Sequence, residues 1–383
     1  MVRERCRMVA TRLLESVMEA ERDEFLACRP YERGSHRRGL RNGYESRWLE
    51  TSWGSLRLRV PRVRQTVRPF RTRLFERHRR HWRDLEEAVR TWCAGGMSTR
   101  RVAAAVREVF GASVSAATVS RIVAEVDEEV RAFHARRFER GYRYLFLDAK
   151  YGYVRSRRRR GRKRQAVLLL AWGVTHGGRE ELVDFRVAPG EDEASWTAFL
   201  TDLEARGVRV QNCWGERLEM ITTDGAAGLE SALAMVYPGV PHQLCILHKL
   251  KNVGDNLRDR GHRRAILRQA KGIYRNVTSV PQARARLRRW VERWRDVEPE
   301  AVESLCAQFE DTLRYLWAPA PWRRRIRTNN PIERLIREFN RKFRQMGTFT
   351  DAASWERAAY LVWRRLEAAG YPHSCKNNFT RKS

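Results

Sequence analysis

Three acids stand where their side-chain chemistry is out of keeping with their surroundings. Asp148 lies within "YLFLDAKYGYVR", an apolar and aromatic run that reads as a strand. A carboxylate buried there needs a partner, a proton or a metal. Asp224 closes a second strand-like run, "LEMITTDG". Glu333 falls in the first turn of "TNNPIERLIREFNRKFRQ", an amphipathic helix that Asn330 can cap and in which Pro331 suits the first position. Ile332, Leu335, Ile336, Phe339 and Phe343 form that helix's apolar stripe, and Glu333 lies about 100° round from Ile332, at its margin. In a sheet with the Asp148 strand central, Asp148 and Asp224 can lie side by side. Two such carboxylates repel unless a cation sits between them. Hard divalent cations take these oxygens, and Mg²⁺ commonly binds one or two carboxylates together with substrate phosphate. A pair of metals about 4 Å apart can activate a nucleophile and stabilise the leaving oxygen of a phosphodiester, with Glu333 the candidate to complete the second metal's shell.

Each acid has a plainer reading. A glutamate near a helix start is a common capping residue. "TDG" is a common strand-to-turn signal. Asp148 has the weakest such reading, because an apolar strand does not call for it. Glu338 lies about 140° round the same helix from Glu333, where an ion pair with Arg334 would occupy it.

Other groups adjoin these acids in the sequence. Cys245 and His248, in "CILH", follow a fifth strand-like run, "HQLCIL". Zinc would need two more ligands, and no matching pair stands nearby. A buried thiol and a histidine near the acids is the preferred reading, with His248 able to contact phosphate. Arg155, Arg157, Arg158, Arg159 and Arg160 begin a strongly basic hairpin after the Asp148 strand, read as a phosphate clamp rather than a solvated tip. Arg334, Arg337 and Arg341 give the Glu333 helix a basic outer side that could track the same backbone. Trp196 and the tryptophans at 290, 294, 317 and 322 read as core rather than as base-stacking platforms.

Elements must bring these groups together. Residues 1 to 30 read as helix, followed by a basic, turn-rich stretch and a short hairpin ended by Pro61. Helix resumes near Trp82. "MSTRRVAAAVREVFGASVSAATVSRIVAEV" holds two helical halves. Val102, Val106 and Val109 share one face of the first. Ser115 can cap the second, with Val119, Ile122, Val123 and Val126 on one face. Two short helices about a glycine turn resemble a helix-turn-helix, with Ser115, Thr118 and Arg121 able to face a groove. From Tyr144 three strands follow in succession, then helix and strand alternate, which predicts a mixed α/β sheet. From about Lys249 to Arg325 the pattern is helical.

The bulk composition fits such a site. The chain has 383 residues and a net charge of +31, with 42% apolar content. That size predicts two or three domains. The charge is carried mostly by arginine, which suits bidentate phosphate contacts, so nucleic acid is the expected partner. No apolar run approaches the ~20 residues of a membrane span. An odd set of scattered cysteines and no signal-peptide pattern point to a reducing cytoplasm.

Seven stretches then resemble, in order and spacing, the DDE transposases of the bacterial insertion-sequence 256 family, related to the Mutator-like elements. They are "YERGSHRRGLRNGY", "GMSTRRVAAAVREVFG", "LDAKYGYVR", "GEDEASW", "TTDGAAGLESAL", "HQLCILHKLKNV" and "TNNPIERLIREFNRK", spanning roughly residues 30 to 350. The resemblance implies a ribonuclease-H-like core with an all-helical insertion, preceded by a mainly helical DNA-binding region. The implied layout is a DNA-binding region over 1–140 with its helix-turn-helix about 97–127. The first part of the core follows over 141–253, the insertion over 254–325, the final core helix over 326–352 and a C-terminal segment over 353–383. It implies Asp148, Asp224 and Glu333 as catalytic and metal-binding residues, with Mg²⁺ or Mn²⁺. The implied partner is double-stranded DNA, at element ends and target, with a homodimer joining two ends. The implied chemistry is cleavage and strand transfer by transesterification, in a family thought to copy out and paste in through a circle. The chain departs from the family at "PRVRQTVRPF", at a longer approach to Asp224 and at the very basic hairpin. Two other functions remain open at this point: a degenerate or domesticated transposase that only binds DNA, and a related nuclease such as a junction resolvase.

Overall fold

The computed structural model describes residues 2–28, 30, 32, 37–51, 54–74, 83–110, 114–155, 162–346 and 348–371. The chain divides into two units, residues 1–127 and 128–383.

The first unit opens with α1 (Val2–Leu26), which packs on a hairpin of β1 (Leu40–Thr51) and β2 (Gly54–Arg64). Ala10, Leu14 and Met18, spaced by four, meet Leu49, Leu56, Leu58 and Val60. The hairpin is longer than the sequence suggested and does not end at Pro61. Pro61 stands inside β2 opposite Tyr44, next to the register shift between Arg41 and Tyr44. The missing N–H thus falls where the ladder is already interrupted. Three helices follow: α2 (Arg83–Ala94), α3 (Thr99–Phe110) and α4 (Ala116–Ala124). Val102, Val106, Val119 and Ile122 are buried among them. Ser115 caps α4, its Oγ accepting the N–H of Thr118 at 3.0 Å. Val109 departs from its expected place and is 50% exposed. Phe110 closes the end of α3 instead, stacked on Trp92 with ring centroids 5.6 Å apart.

The division falls within α5 (Val126–Ala135), and the second unit is built on a sheet ordered β5-β4-β3-β6-β7. Its first three strands, β3 (Tyr142–Arg155), β4 (Lys163–Thr175) and β5 (Glu180–Ala188), form an antiparallel meander. The other two, β6 (Met220–Thr223) and β7 (His242–Leu244), run parallel to β3. Over residues 144–148 of β3 and 166–174 of β4 the strands are buried on both faces, so these stretches read as continuous apolar runs and not as alternation. On one face α6 (Glu193–Ala205) and α7 (Ala227–Val236) cover Leu145, Leu147, Leu169 and Ile221, with Trp196 wholly buried. Residues of the opposite phase include Trp172, set edge-on against Trp363 and Tyr371.

β7 is shorter than the run "HQLCIL" implied. It stops at Leu244, and Cys245 becomes the first residue of a helix cap: its carbonyl accepts the N–H of Lys249 at 3.0 Å. The helical stretch then comprises α8 (Ile246–Asp255), α9 (Arg263–Ile273), α10 (Val280–Trp294), α11 (Pro299–Cys306) and α12 (Ala320–Ile326), with short 3-10 turns between. Gln243, fully buried in β7, ties this region to the sheet: its amide accepts the N–H of Tyr315 at 2.7 Å and donates to Thr312 O at 2.9 Å. Trp290 and Trp294 are core as expected, but Trp317 is 60% exposed, with the Arg314 guanidinium 4.6 Å over its ring. The last elements are α13 (Asn330–Met346) and α14 (Ala352–Ala368). Ile332, Leu335, Phe339 and Phe343 are buried along α13.

Candidate active site

The acids meet because of strand register. β3 and β6 pair in parallel as Tyr144 with Met220, Leu145 with Ile221 and Phe146 with Thr222. Two residues further on, the same register sets Asp224 abreast of Asp148. Neighbouring strands lie about 4.8 Å apart, so the two carboxylates start from adjacent backbone positions. β6 stops at Thr223 whereas β3 runs on to Arg155, which leaves Asp148 beside an open strand end. A tight turn follows Asp224: its Oδ1 accepts the N–H of Ala226 at 3.2 Å, and Gly225 has φ +90°. The turn chemistry of "TDG" is therefore present, and it leaves Asp224 Oδ2 free of that role.

Asp148 is 6% exposed and, among the described residues, only the N–H of Ala149, at 2.8 Å, donates to it. Burial pushes its carboxyl up to about 8, and the charges of Asp224, Glu333 and Glu191 add to the rise against the Ala149 hydrogen bond. A second aspartate of the same sheet supplies the contrast. Asp184, on β5, is wholly buried but has partners: His134 Nδ1 lies 2.6 Å from one oxygen and the Arg206 guanidinium bonds the other. One buried acid is neutralised by the protein, and the other is left facing further acids.

Glu333 reaches this cluster through a pinned helix start. Asn329, wholly buried, donates from Nδ2 to Leu147 O at 3.0 Å, next to Asp148. Its backbone N–H is given to Cys245 Sγ at 3.3 Å, and Cys245 N–H is given to Thr223 O at 2.8 Å. Thr222 Oγ1 donates to Ile326 O at 2.8 Å. These bonds tie the ends of β6 and β7 and the start of α13 to the middle of β3. The cap of α13 is Asn329 and not Asn330, because Glu333 N–H bonds Asn329 O at 2.9 Å.

Cys245, His248 and Glu333 offer a sulfur, a ring nitrogen and a carboxylate oxygen within 4.8 Å of one another. His248 Nδ1 lies 3.9 Å from Glu333 Oε1. Burial pushes the Cys245 thiol up to about 11, so with no metal bound it packs as a neutral thiol.

Two residues of the cluster were not singled out from the sequence. One is Asn329, the first asparagine of "TNNP". The other is Glu191, of "GEDEASW", whose carboxyl is raised by burial against a hydrogen bond from Tyr151, with Asp224 adding to the rise. An acid immediately before a helix reads as first-turn chemistry, which masked it.

The remaining candidates are dispersed. Arg155 is exposed at the end of β3, seven residues or about 23 Å along the strand from Asp148. Arg157, Arg158, Arg159 and Arg160 lie outside the described residues. Arg334, Arg337 and Arg341 are exposed on α13. Glu338 pairs at 2.6 Å with Arg341, where the sequence pointed to Arg334. In the first unit Ser115 and Arg121 are exposed and Thr118 is half-buried.

Asn329 gives a first prediction. Asn329→Ala leaves Leu147 O buried without its donor, which costs about 1–3 kcal/mol. Asn329→Asp also brings a further carboxylate to the cluster and is expected to melt lower still. Thermal melting of the two variants checks the order; equal melting temperatures would remove Asn329 from the cluster.

The comparisons with known proteins give this arrangement a family. A family model described as "Transposase, Mutator family" matches residues 2–369. The chain is 32% identical over 336 residues to the transposase for insertion sequence element ISRM5 of Rhizobium meliloti, covering 88% of this chain and 81% of that one. It is 30% identical over 353 residues to the transposase for insertion sequence element IS256 in transposon Tn4001 of Staphylococcus aureus, covering 91% and 86%. A similar match, 32% over 357 residues, is to the transposase for insertion sequence element IS406 of Burkholderia multivorans, covering 93% and 88%. The chain belongs to the Mutator family of transposases. Among the described residues no helix is long and apolar enough to cross a membrane.

Proposed function

We propose that this chain binds the terminal repeats of a mobile element and catalyses metal-dependent DNA strand cleavage and strand transfer from a ribonuclease-H-like core. The observation that carries the reading is Asp148, a carboxylate buried in a strand, given no cation among the described residues and facing further acids. Asp148, Asp224 and Glu333 would hold Mg²⁺, or Mn²⁺ in its place, because the donors are hard carboxylate oxygens. Bound there, such ions would supply Lewis acidity to the nucleophile and the leaving oxygen of a phosphodiester.

The chain's own part is positioning. Strand register sets Asp148 and Asp224 abreast, and Asn329 fixes the helix that carries Glu333. His248 orients the Glu333 carboxylate or takes a phosphate oxygen. Glu191, with Tyr151 as its hydrogen-bond donor, accepts a hydrogen bond from the attacking water or 3′ hydroxyl. A meander of three antiparallel strands followed by two strands parallel to the first supports the ribonuclease-H-like reading. In the first unit, α3 and α4 would read the element's ends, with Ser115, Thr118 and Arg121 toward the groove. Arg155, Arg334 and Arg337 would track phosphates, and Arg341 would do so once released from Glu338. Joining two ends calls for a homodimer in the synaptic complex.

The test uses the purified full chain and DNA taken from either side of its reading frame. With Mg²⁺, cleavage at the element's end and covalent joining of that end to a second duplex are expected. Hydrolysis without joining would turn the reading into a nuclease, and binding without cutting would turn it into a DNA-binding protein.

A further inference from the structure

One face of α9 is a row of exposed cations with nothing in the carboxylate site to explain it. Arg264, Arg268 and Lys271 follow one another at helical spacing, and Arg275 continues the row. The opposite face, Ile266, Ala270 and Ile273, is buried, so Arg264, Arg268 and Lys271 are turned outward by the packing of their own helix, and Arg275, just past its C-terminal end, is exposed as well. Together they line a groove of about 690 Å³ that contains no acid. A second hollow of about 340 Å³ shares Lys271 and Arg275 with the first. Its far wall is Leu247, Arg327 and Thr328. Leu247 adjoins His248 in sequence, and Thr328 adjoins Asn329. The linings of the two hollows are thus contiguous at Lys271 and Arg275 and extend from α9 to Arg327 and Thr328, just before α13, with Ile246, Leu247, Leu250 and Tyr274 as the apolar part of the second.

From this continuity we propose that the α9 groove carries the phosphate backbone of duplex DNA running out from the carboxylate site, which rests on the reading of that site given above. Charge complementarity selects the occupant. Arg264 to Lys271 spans about 10 Å of helix, comparable with about three phosphates of one strand. Unlike Arg263, which bonds Gly254 O and lies 3.5 Å from Asp255, these cations have no ion pair with a carboxylate among the described residues. Exposed arginines on α10, at Arg288, Arg289 and Arg293, lie outside both hollows and serve as a matched control.

The experiment measures binding of the full chain to a labelled non-specific duplex by anisotropy, in chelator, across a series of salt concentrations. One variant combines Arg264→Gln, Arg268→Gln and Lys271→Gln, and the control combines Arg288→Gln, Arg289→Gln and Arg293→Gln. Each phosphate contact contributes about 0.9 to the slope of log affinity against log salt, so the α9 variant is expected to shallow it by about 2.7. The control, with the same charge removed, is expected to leave the slope within about one contact of wild type. An unchanged slope for the α9 variant, or an equal change in both, overturns the proposal. Should the triple variant melt lower than wild type, the three single substitutions carry the test, each expected to remove about a third of the change. Cleavage plays no part in this readout, so an error in the carboxylate assignment would show in the strand-transfer assay and not here.

Discussion

Replacing Asp148 with asparagine is expected to cripple strand cleavage and, in chelator, to raise the melting temperature. The two effects have one cause. Burial, with Asp224 second, lifts the Asp148 carboxyl to about 8 in the folded chain. In the unfolded chain it titrates at about 3.9. The native state therefore holds this proton more tightly. Its contribution to stability is fully present below about pH 4 and is lost as pH rises through about 8. Near pH 7 the accumulated cost is roughly 4 kcal/mol, at about 1.4 kcal/mol per unit. Asparagine has a similar shape and no charge to lose, so the variant should melt above wild type near pH 8, and the gap should close toward pH 5. Mg²⁺ should raise the melting temperature of wild type and leave the variant where it is. Cleavage should fall by roughly three orders of magnitude, about 4 kcal/mol of lost transition-state stabilisation. A variant that melts below wild type in chelator at high pH would mean that some other group compensates Asp148. One that still cuts at a similar rate would take Asp148 out of the chemistry.

Much of the sheet could be read before the structure, and the reasons are local. Apolar runs around Leu147, Leu169 and Phe185 are long and bounded by turns, so strands are the only elements that fit. Asp148 and Asp224 stood out because each breaks such a run. What stayed hidden depends on partners distant in sequence. Pro61 looked like a strand end because the register shift that accommodates it lies on β1. Asn330 looked like the α13 cap because either asparagine can serve. Only the buried bond from Asn329 to Leu147, 182 residues away, decides between them. Glu338 had charges within reach at Arg334 and at Arg341, and rotamer geometry chose the second. Trp317 carries the composition of a core residue, yet a 3-10 turn leaves it outside. Glu191 was invisible for the opposite reason: acids before helices are common, and its coupling to Asp224 exists only once the loop after β5 is folded back to β6.

Glu333→Gln is the change that separates a capping glutamate from a metal-holding one. Glutamine has nearly the same helix propensity and caps nearly as well, so a purely local role predicts a stability change within about 0.5 kcal/mol and full activity. The structure weakens the local role, since the Asn329 N–H that a capping glutamate would accept is given to Cys245 Sγ and the Glu333 carboxylate instead lies 3.9 Å from His248. Its charge also reaches Asp148, which a cap turned to solvent would not do. The expected result is therefore an enzyme that melts like wild type and has lost cleavage by at least about a hundredfold, or some 3 kcal/mol. Glu338→Gln is the control on the same helix. Five residues amount to about 140° of rotation, so Glu338 cannot share the site. Its ion pair with Arg341 is largely exposed and contributes at most about 0.5 kcal/mol. That variant should cut normally, and release of Arg341 should leave binding equal or slightly tighter. Mg²⁺-dependent end cleavage and thermal melting, measured side by side on both variants, decide the matter. If Glu333→Gln were folded and active, the third carboxylate would have to be sought elsewhere in the cluster, with Glu191 the first to test.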